Sequence, residues 1–407
     1  MLFTLIKNEL IKLLRKAKTW IVFGLFALFI GVTIYAQYSG DQRTREYQSP
    51  EMQLQFAKDN LSYYKEELES SKENETSPEY IEYIKQSIED SEAQIKSYEN
   101  IIKNGLDEEA WKLELDAEIS SLNQTIKDYE EYDDVWSKQY LEESKERLDM
   151  LNYLKDNNIE PIYGWEYESY NYMTALMEIL GMAILLCGIA VFMSDIVSGE
   201  CTPATLKFLL VQPVTRGKVL LSKFISVTLV VLAMIMGGEL LGFTFVNLTS
   251  KISGSSYPVT IGTLYNKVIN SEGISELVKI AGSGHMGTNL ELFIKAMLFQ
   301  GLFIITACSV VFLISTLIKS SMITMAISVV VTVFLTISCQ LISSLRNIAH
   351  LIFVNYGNTI SVFTGNGALS FNNADLTVRN GIIVMIVTII ISYTIAHFNF
   401  KNKDILI

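Results

Sequence analysis

Cysteine, histidine and proline are scarce in this 407-residue sequence, and each scarcity removes a class of function. The four cysteines, Cys187, Cys201, Cys308 and Cys339, fit no zinc-binding spacing. None falls in the polar stretch 41–168, so no disulfide framework supports it. The three histidines, His285, His350 and His397, lie far apart. With no H-E-x-x-H and no G-x-S-x-G, a metalloprotease or serine hydrolase lacks its parts. No G-x-x-x-x-G-K-[ST] phosphate loop occurs, so nucleotide hydrolysis, if it matters, belongs to another chain. The run Gly282-Ser-Gly-His-Met-Gly287 does match G-x-G-x-x-G. It lies in an expected loop with no preceding strand and no βαβ context, which is not how a dinucleotide is held. No cofactor, no metal and no nucleic acid is expected.

What the sequence has is apolar length and an uneven distribution of charge. Half of the residues are hydrophobic and the net charge is −12. Between Asp41 and Glu168 there are 34 acidic and 14 basic residues, a balance of −20, whereas the remainder carries 10 and 18, a balance of +8. An acidic, water-loving insert therefore interrupts a basic, apolar body.

A helix needs about 20 apolar residues to cross roughly 30 Å of hydrocarbon. Six stretches qualify: 19–38, 173–194, 221–246, 293–317, 322–343 and 381–398. The expected class is an all-α membrane protein with six transmembrane helices. Lysine and arginine set the orientation. Lys7, Lys12, Arg15, Lys16 and Lys18 precede the first span; Lys207, Arg216, Lys218 and Lys223 lie between the second and third; Lys319 turns the fourth into the fifth; Lys401 and Lys403 follow the sixth, in the tail 399–407. All fall on one side, which is then cytoplasmic together with both termini. The insert 39–170 and the loops 247–292 and 344–380 fall outside. Residues 1–18 are expected to be a helix lying in the membrane interface and not a cleaved leader: Leu2, Phe3, Ile6, Leu10, Leu13 and Leu14 share a helical face, while Lys7, Lys12, Arg15 and Lys16 take much of the rest.

Within the insert, prolines occur only at Pro50, Pro78 and Pro161. Ile81, Ile84, Ile88, Ile95, Tyr98 and Ile102 follow a seven-residue repeat in which Ser91 fills one apolar slot. Leu115, Ile119, Leu122, Ile126 and Tyr129 continue it after Asn104-Gly105, and Leu141, Leu148 and Leu151 suggest a further stretch. Such seams bury against partner helices, so three or four antiparallel helices in a coiled-coil stalk are expected. Tyr63, Tyr64, Trp111, Tyr129, Trp136 and Tyr140 read as seam or partner contacts. The acidity reads first as a solvated face, and second as a means of drawing in a cationic substrate or peptide.

Two acids fall inside expected spans, Glu178 and Glu239. A charge in lipid costs several kcal/mol, roughly, so each is a candidate to line a substrate path or to pair across helices. Glu178 also has the option of lying near the outer interface.

The densest local signal is 195–219. Thr202 and Pro203 can start a short helix whose apolar side is Leu206, Phe208, Leu209 and Leu210, and Pro213 ends it. Thr215 can cap the next helix. Such an element suits a groove in a soluble partner, or the lipid surface.

Glu200, Thr205-Leu206, Leu209-Leu210, Pro213, Arg216 and Ser222-Lys223 resemble the cytoplasmic loop of ABC-2 type transporter permeases. The basic amphipathic N-terminus, six spans and chain length resemble that family too; the acidic insert is outside the resemblance. Ala204 stands where the family commonly has glycine, which changes how the short helix is entered. The resemblance implies a permease that pairs with a second permease subunit, a copy or a homologue, and binds cytosolic ABC ATPase subunits, which carry the ATP and magnesium. It implies that 195–219 is the coupling element, with Glu200, Thr205, Leu206, Arg216 and Lys218 transmitting motion. It also implies that the N-terminal helix connects to it, and that Ile348–Val354 belongs to half-buried helices of the outer loop. Members with a large outer domain are linked to export of, or resistance to, antimicrobial peptides such as bacitracin and lantibiotics. The expected function is export of an amphipathic peptide, antibiotic or lipid-like substrate across a bacterial cell membrane. The alternative is a non-transporting transducer that signals through the stalk. A membrane enzyme lacks its nucleophile and metal motifs.

Overall fold

The computed structural model describes residues 2–73, 77–105, 109–130, 132, 135–200, 215–250, 252–269, 273 and 275–402. Five of its helices are long and apolar enough to cross a membrane: α2 (Ala17–Gln48), α9 (Arg216–Thr249), α10 (Asn289–Leu317), α11 (Ser321–Leu341) and α15 (Val378–Asn402). The remaining expected span is helical too, but in three pieces. Helix α7 (Ser169–Ile179) passes through a π-helical turn at Leu180–Ile184 into α8 (Leu185–Met193). Within the turn Ala183 has φ of 89°. A side chain in that region costs on the order of 1–3 kcal/mol and persists only where surrounding packing holds it.

Helix α10 is the centre of the bundle, with two-thirds of its apolar window buried. It packs on α8, α9, α15 and the short helix α13 (Thr359–Thr364). Phe303, Ile304, Ala307, Phe312 of α10 and Tyr172, Met173, Met177 of α7 fill the shared core. Helices α2, α11 and α15 are peripheral and turn apolar side chains such as Leu25, Leu28, Val330, Phe334 and Ile390 outward. An apolar surface of this extent belongs against lipid or another chain.

The N-terminal helix α1 (Leu2–Arg15) runs along α9. Leu13 is buried and Leu10 packs on the core, but Phe3 and Leu14 are exposed. The apolar face expected from the sequence is thus divided, part on the bundle and part turned outward.

Helix α2, at 32 residues, is about 48 Å long, well beyond the roughly 30 Å of a hydrocarbon layer. Its last turns carry Asp41, Arg43 and Arg45 into the insert. Four helices build that insert: α3 (Pro50–Glu73), α4 (Pro78–Asn104), α5 (Ala110–Glu130) and α6 (Val135–Asp156). They form two antiparallel hairpins, α3 on α4 and α5 on α6, crossed by Lys58–Glu99, Lys65–Glu92 and Arg147–Glu118 ion pairs. These pairs are about half exposed and each contributes roughly 0–1 kcal/mol, so the apolar seam does the holding. The sequence places that seam well: Ile84 and Ser91 are buried, as are Leu115, Ile126 and Leu151. Ile102, at the hairpin's open end, is exposed. Of the aromatics, Trp111 packs against the α5–α6 core and Tyr129 stacks on Tyr140, while Tyr63 is exposed and the Trp136 side chain lies outside the described residues.

The stretch 247–292 is more than a loop. Strand β1 (Pro258–Ile261) pairs antiparallel with β4 (His285–Thr288), and β2 (Tyr265–Ile269) with β3 (Ser275–Lys279), one ladder nested inside the other. A strand therefore does precede Gly282, but β4 follows instead of a helix. The glycine-rich run is the link from β3 of the inner ladder into β4 of the outer one. Tyr257 packs with Leu115, Leu151 and Leu154, Lys279 pairs with Glu146, and the Gly282 N–H donates to Glu142 at 3.1 Å. The second hairpin thereby rests on the strands.

After α11 the chain makes α12 (Ser343–Arg346), two 3-10 turns, α13 and α14 (Asn366–Phe371), all short. Within Ile348–Val354, Ala349 and Val354 are buried and Ile348 and Leu351 exposed; Asn355, Tyr356 and Thr359–Phe363 after it are buried. They pack closely on the π turn: a Cβ at Gly181 would lie 2.6 Å from the Asn358 backbone, and one at Gly357 would lie 2.8 Å from the Gly181 carbonyl oxygen.

Candidate coupling site and buried acids

At the end of the bundle where the α1–α2 elbow and the last turn of α15 lie, side chains converge on the described residues that flank 201–214. Lys16, between α1 and α2, and Lys18, in the first turn of α2, both reach Asp195, Nζ to carboxylate 3.4 and 2.8 Å. Burial alone would raise the Asp195 pKa, but the hydrogen bond from Lys18 and the charges of Lys18 and Lys16 outweigh it and hold the carboxyl below its ordinary value. The elbow itself is closed by the buried Thr19 hydroxyl, which donates to the Leu13 carbonyl at 2.7 Å.

A second tie joins α1 to α9. Lys223 Nζ lies 2.9 Å from Glu9 Oε1, and the Ser226 hydroxyl donates to the Ile6 carbonyl at 3.1 Å. A third tie fastens the end of α8 to α10. The Ser315 hydroxyl accepts from the Val197 and Ser198 N–H groups, each at 3.2 Å, and donates to the Ser194 carbonyl at 3.1 Å. That one side chain satisfies backbone groups left open where the helix stops. A 3-10 turn, Ser198–Glu200, follows.

The expected coupling residues divide on this frame. The Glu200 backbone ends the 3-10 turn, while its side chain lies outside the described residues, as do Thr205, Leu206 and Pro213. Thr215 is the N-cap of α9. Its carbonyl, not its hydroxyl, closes the first turn by accepting from the Lys218 N–H at 3.0 Å. Arg216 donates to the Lys401 carbonyl at 3.2 Å, tying α9 to the end of α15, and the Lys218 side chain is exposed. Gly217 is pressed against His397, where a Cβ would lie 2.6 Å from the ring.

The two acids within the spans are not brought together by any described contact. Glu239, on α9, is fully buried, and Gln300 of α10 donates to its Oε1 at 2.9 Å. Glu239 Oε2 and Gln300 Oε1 have no hydrogen-bond partner among the described residues. Glu178, on α7, is half-buried and makes no described hydrogen bond or ion pair. Between α2, α8 and α9 lies an apolar crevice of about 380 Å³, lined by Phe26, Phe29, Ile184, Gly188, Met234 and Ile235.

Glu9, Asp195, Ser315 and Gln300 escape a reading of the sequence. Glu9 is the lone acid in a basic helix, and Gln300 is a polar residue in an apolar run. Such interruptions are the only local trace of a tertiary partner. No group of three His, Cys, Asp or Glu able to hold a metal occurs among the described residues.

A family model described as ABC-2 family transporter protein matches residues 3–405, nearly the whole chain. No curated protein sequence matches it closely enough to count as a relative.

Proposed function

The chain belongs to the ABC-2 transporter family, and from that premise we propose that it is the permease subunit of an exporter driven by a separate ABC ATPase. As a family member it is a multi-pass membrane component that works with an ATPase. The finer reading has six crossings, with α7–α8 as the second, both termini cytoplasmic in a bacterial cell membrane, and the insert outside. Two permease subunits pair, and the ATPase dimer grips 195–219. The substrate is an amphipathic peptide, antibiotic or lipid-like molecule.

The observation that carries this reading is the three-way tie around 195–219. Asp195 holds the α1–α2 elbow, Ser315 holds the end of α8 to α10, and Glu9–Lys223 holds α1 to α9. A push on the intervening segment therefore reaches three spans at once. Such a push changes the transmembrane state only if ATPase binding favours one state over the other. In proteoliposomes holding permease and ATPase, Arg216→Glu or Glu200→Ala should leave insertion intact and abolish export while ATP hydrolysis continues. Wild-type coupling in both variants, or crosslinkers at 195–218 that meet only lipid, would remove this segment from the mechanism.

One observation favours the transducer alternative. Helix α2 runs without a break from the Lys18 contact to the base of the insert. A rigid rod of that kind suits the relay of motion to the outer domain. Deleting the hairpins 50–156 separates the readings: export that survives the deletion supports the pump, whereas signalling lost with the hairpins, in a protein that exports nothing in either form, supports the transducer.

A further inference from the structure

A crevice of about 1240 Å³ opens at the base of the insert, far from the coupling end. Its walls are α2, the segment 159–167 that returns from α6, and the end of α9 with the residues after it. Along α2 it runs from Gly31 to Arg45, about 21 Å at 1.5 Å per residue. Its chemistry changes along that length. Ile34, Phe245 and Ile252 line the bundle end, the rings of Tyr35, Tyr38 and Tyr167 follow, and the insert end gathers Asp41, Glu160 and Glu166 around Arg45.

The acids at that end form a built seat. The side chains of Asp41 and Glu166 are only 4% and 12% exposed, whereas Arg45, which bridges them, is 48% exposed. Backbone donors fix both carboxylates: the Tyr167 N–H at 3.0 Å from Asp41, and the Tyr163 N–H at 2.9 Å from Glu166. Arg45 Nε lies 2.9 and 3.0 Å from the two Asp41 oxygens, one terminal nitrogen lies 3.3 Å from Glu166, and the guanidinium sits 5.5 Å over the Trp165 ring. Two nearly buried anions are thus held by backbone donors, and one cation on a long side chain offsets only one of their two charges. Another cation can take the place of that guanidinium without any change in the burial of the acids. Glu160 adds a third negative charge at the entrance. A positive group is drawn in and a negative one repelled.

We propose that this crevice binds a cationic amphiphile, with a primary amine or guanidinium taking the place of Arg45 between Asp41 and Glu166. Its apolar body lies along Tyr35, Tyr38 and Phe245 toward the bundle. Such a site narrows the substrate class of the export reading, and rests on that reading only for the fate of the bound molecule.

The test uses the full chain in phosphatidylcholine nanodiscs, photolabelled with a diazirine-bearing dodecylamine or the matching dodecanoate, with label positions read by mass spectrometry. The amine should label 31–45 and 159–167 saturably and the carboxylate should not. Arg45→Ala removes the internal competitor and should tighten amine binding roughly tenfold, the scale of one charge-assisted hydrogen bond. A misfolded variant cannot bind more tightly, and the melting temperature of Arg45→Ala in the same nanodiscs shows that an absence of tightening is not loss of fold. Asp41→Asn with Glu166→Gln should abolish saturable amine labelling while the apolar walls remain. Equal labelling by both probes, which is the behaviour of an ordinary lipid groove, or no tightening in Arg45→Ala overturns the proposal. ATP-driven export of the amine, measured separately with the ATPase present, bears on the export reading alone. Binding without export leaves the crevice standing, and export without crevice labelling removes it.

Discussion

Glu9 and Lys223 form an ion pair that is almost entirely out of water, 2.9 Å apart with side chains 14% and 2% exposed. It ties α1 to α9. Two charges taken from water gain little over a well-packed apolar pair, but a lone survivor is expensive. Lys223→Ala should therefore cost about 3–5 kcal/mol, whereas Glu9→Leu with Lys223→Met should recover much of the loss. Thermal unfolding of the full chain in detergent measures both. Equal stability of the single and double variants would mean that the pair does not act as a unit.

Asp195 should give the coupling end an acid-sensitive step. Its carboxyl is held below the ordinary value of 3.8 by Lys18 and Lys16. A depressed folded-state pKa contributes stability above the unfolded value, and that contribution is lost as the pH falls through the folded one. Wild type should thus lose stability below about pH 4 that Asp195→Asn, already without it, does not lose. At neutral pH the variant should be less stable by about 1 kcal/mol or less, since the pair is partly exposed. The larger expected effect is on export, with the α1–α2 elbow freed from the end of α8. Parallel stability curves from pH 7 to pH 3 would show that the contact is not made.

Long-range order is what the sequence conceals here. Apolar length fixes the five single-helix spans because lipid imposes about 20 residues on any crossing. The insert's helices are legible from the spacing of Ile84, Ser91, Leu115 and Ile126, since a buried seam repeats. The strands at 258–288 are not, because runs of four or five residues between turns have no period long enough to read. The π turn at Leu180–Ile184 is hidden for a different reason. It coincides with the close approach of the Gly357 and Asn358 backbone to Gly181, a contact made across the fold. At the coupling site, Arg216 is visible as a basic residue at a span end, but Asp195 is only one polar residue among several until Lys16 and Lys18 are brought to it. Thr205 and Leu206 fall outside the described residues, so their role rests on the family resemblance.

The Gly181 contact supplies a sharp pair of substitutions. A Cβ there would sit 2.6 Å from the backbone nitrogen and Cα of Asn358, which no rotamer change relieves. Gly188, two turns on, has nothing within 4 Å of an added Cβ. Gly181→Ala should destabilise the protein by about 1–3 kcal/mol, as overpacking does, and reduce export. Gly188→Ala should be neutral or slightly stabilising, because alanine favours helix over glycine by roughly 1 kcal/mol. Melting temperatures of the two variants side by side decide the matter. Equal tolerance would mean that the segment leading into α13 does not brace the π turn.

Glu239 is where a path residue and a structural tie make opposite predictions. Full burial and a 2.9 Å bond from Gln300 describe a link between α9 and α10. A glutamine in its place has the same shape and can still accept that bond, whereas alanine leaves Gln300 with an unpaired amide in a dry interior. Glu239→Gln should therefore fold and export within about twofold of wild type. Glu239→Ala should lose about 1–3 kcal/mol, the cost of a buried polar group without its partner. The pair of variants is read by melting temperature and by transport in the same proteoliposomes. Should Glu239→Gln fold normally yet stop export, the carboxylate itself is needed, and Glu239 returns to the substrate path.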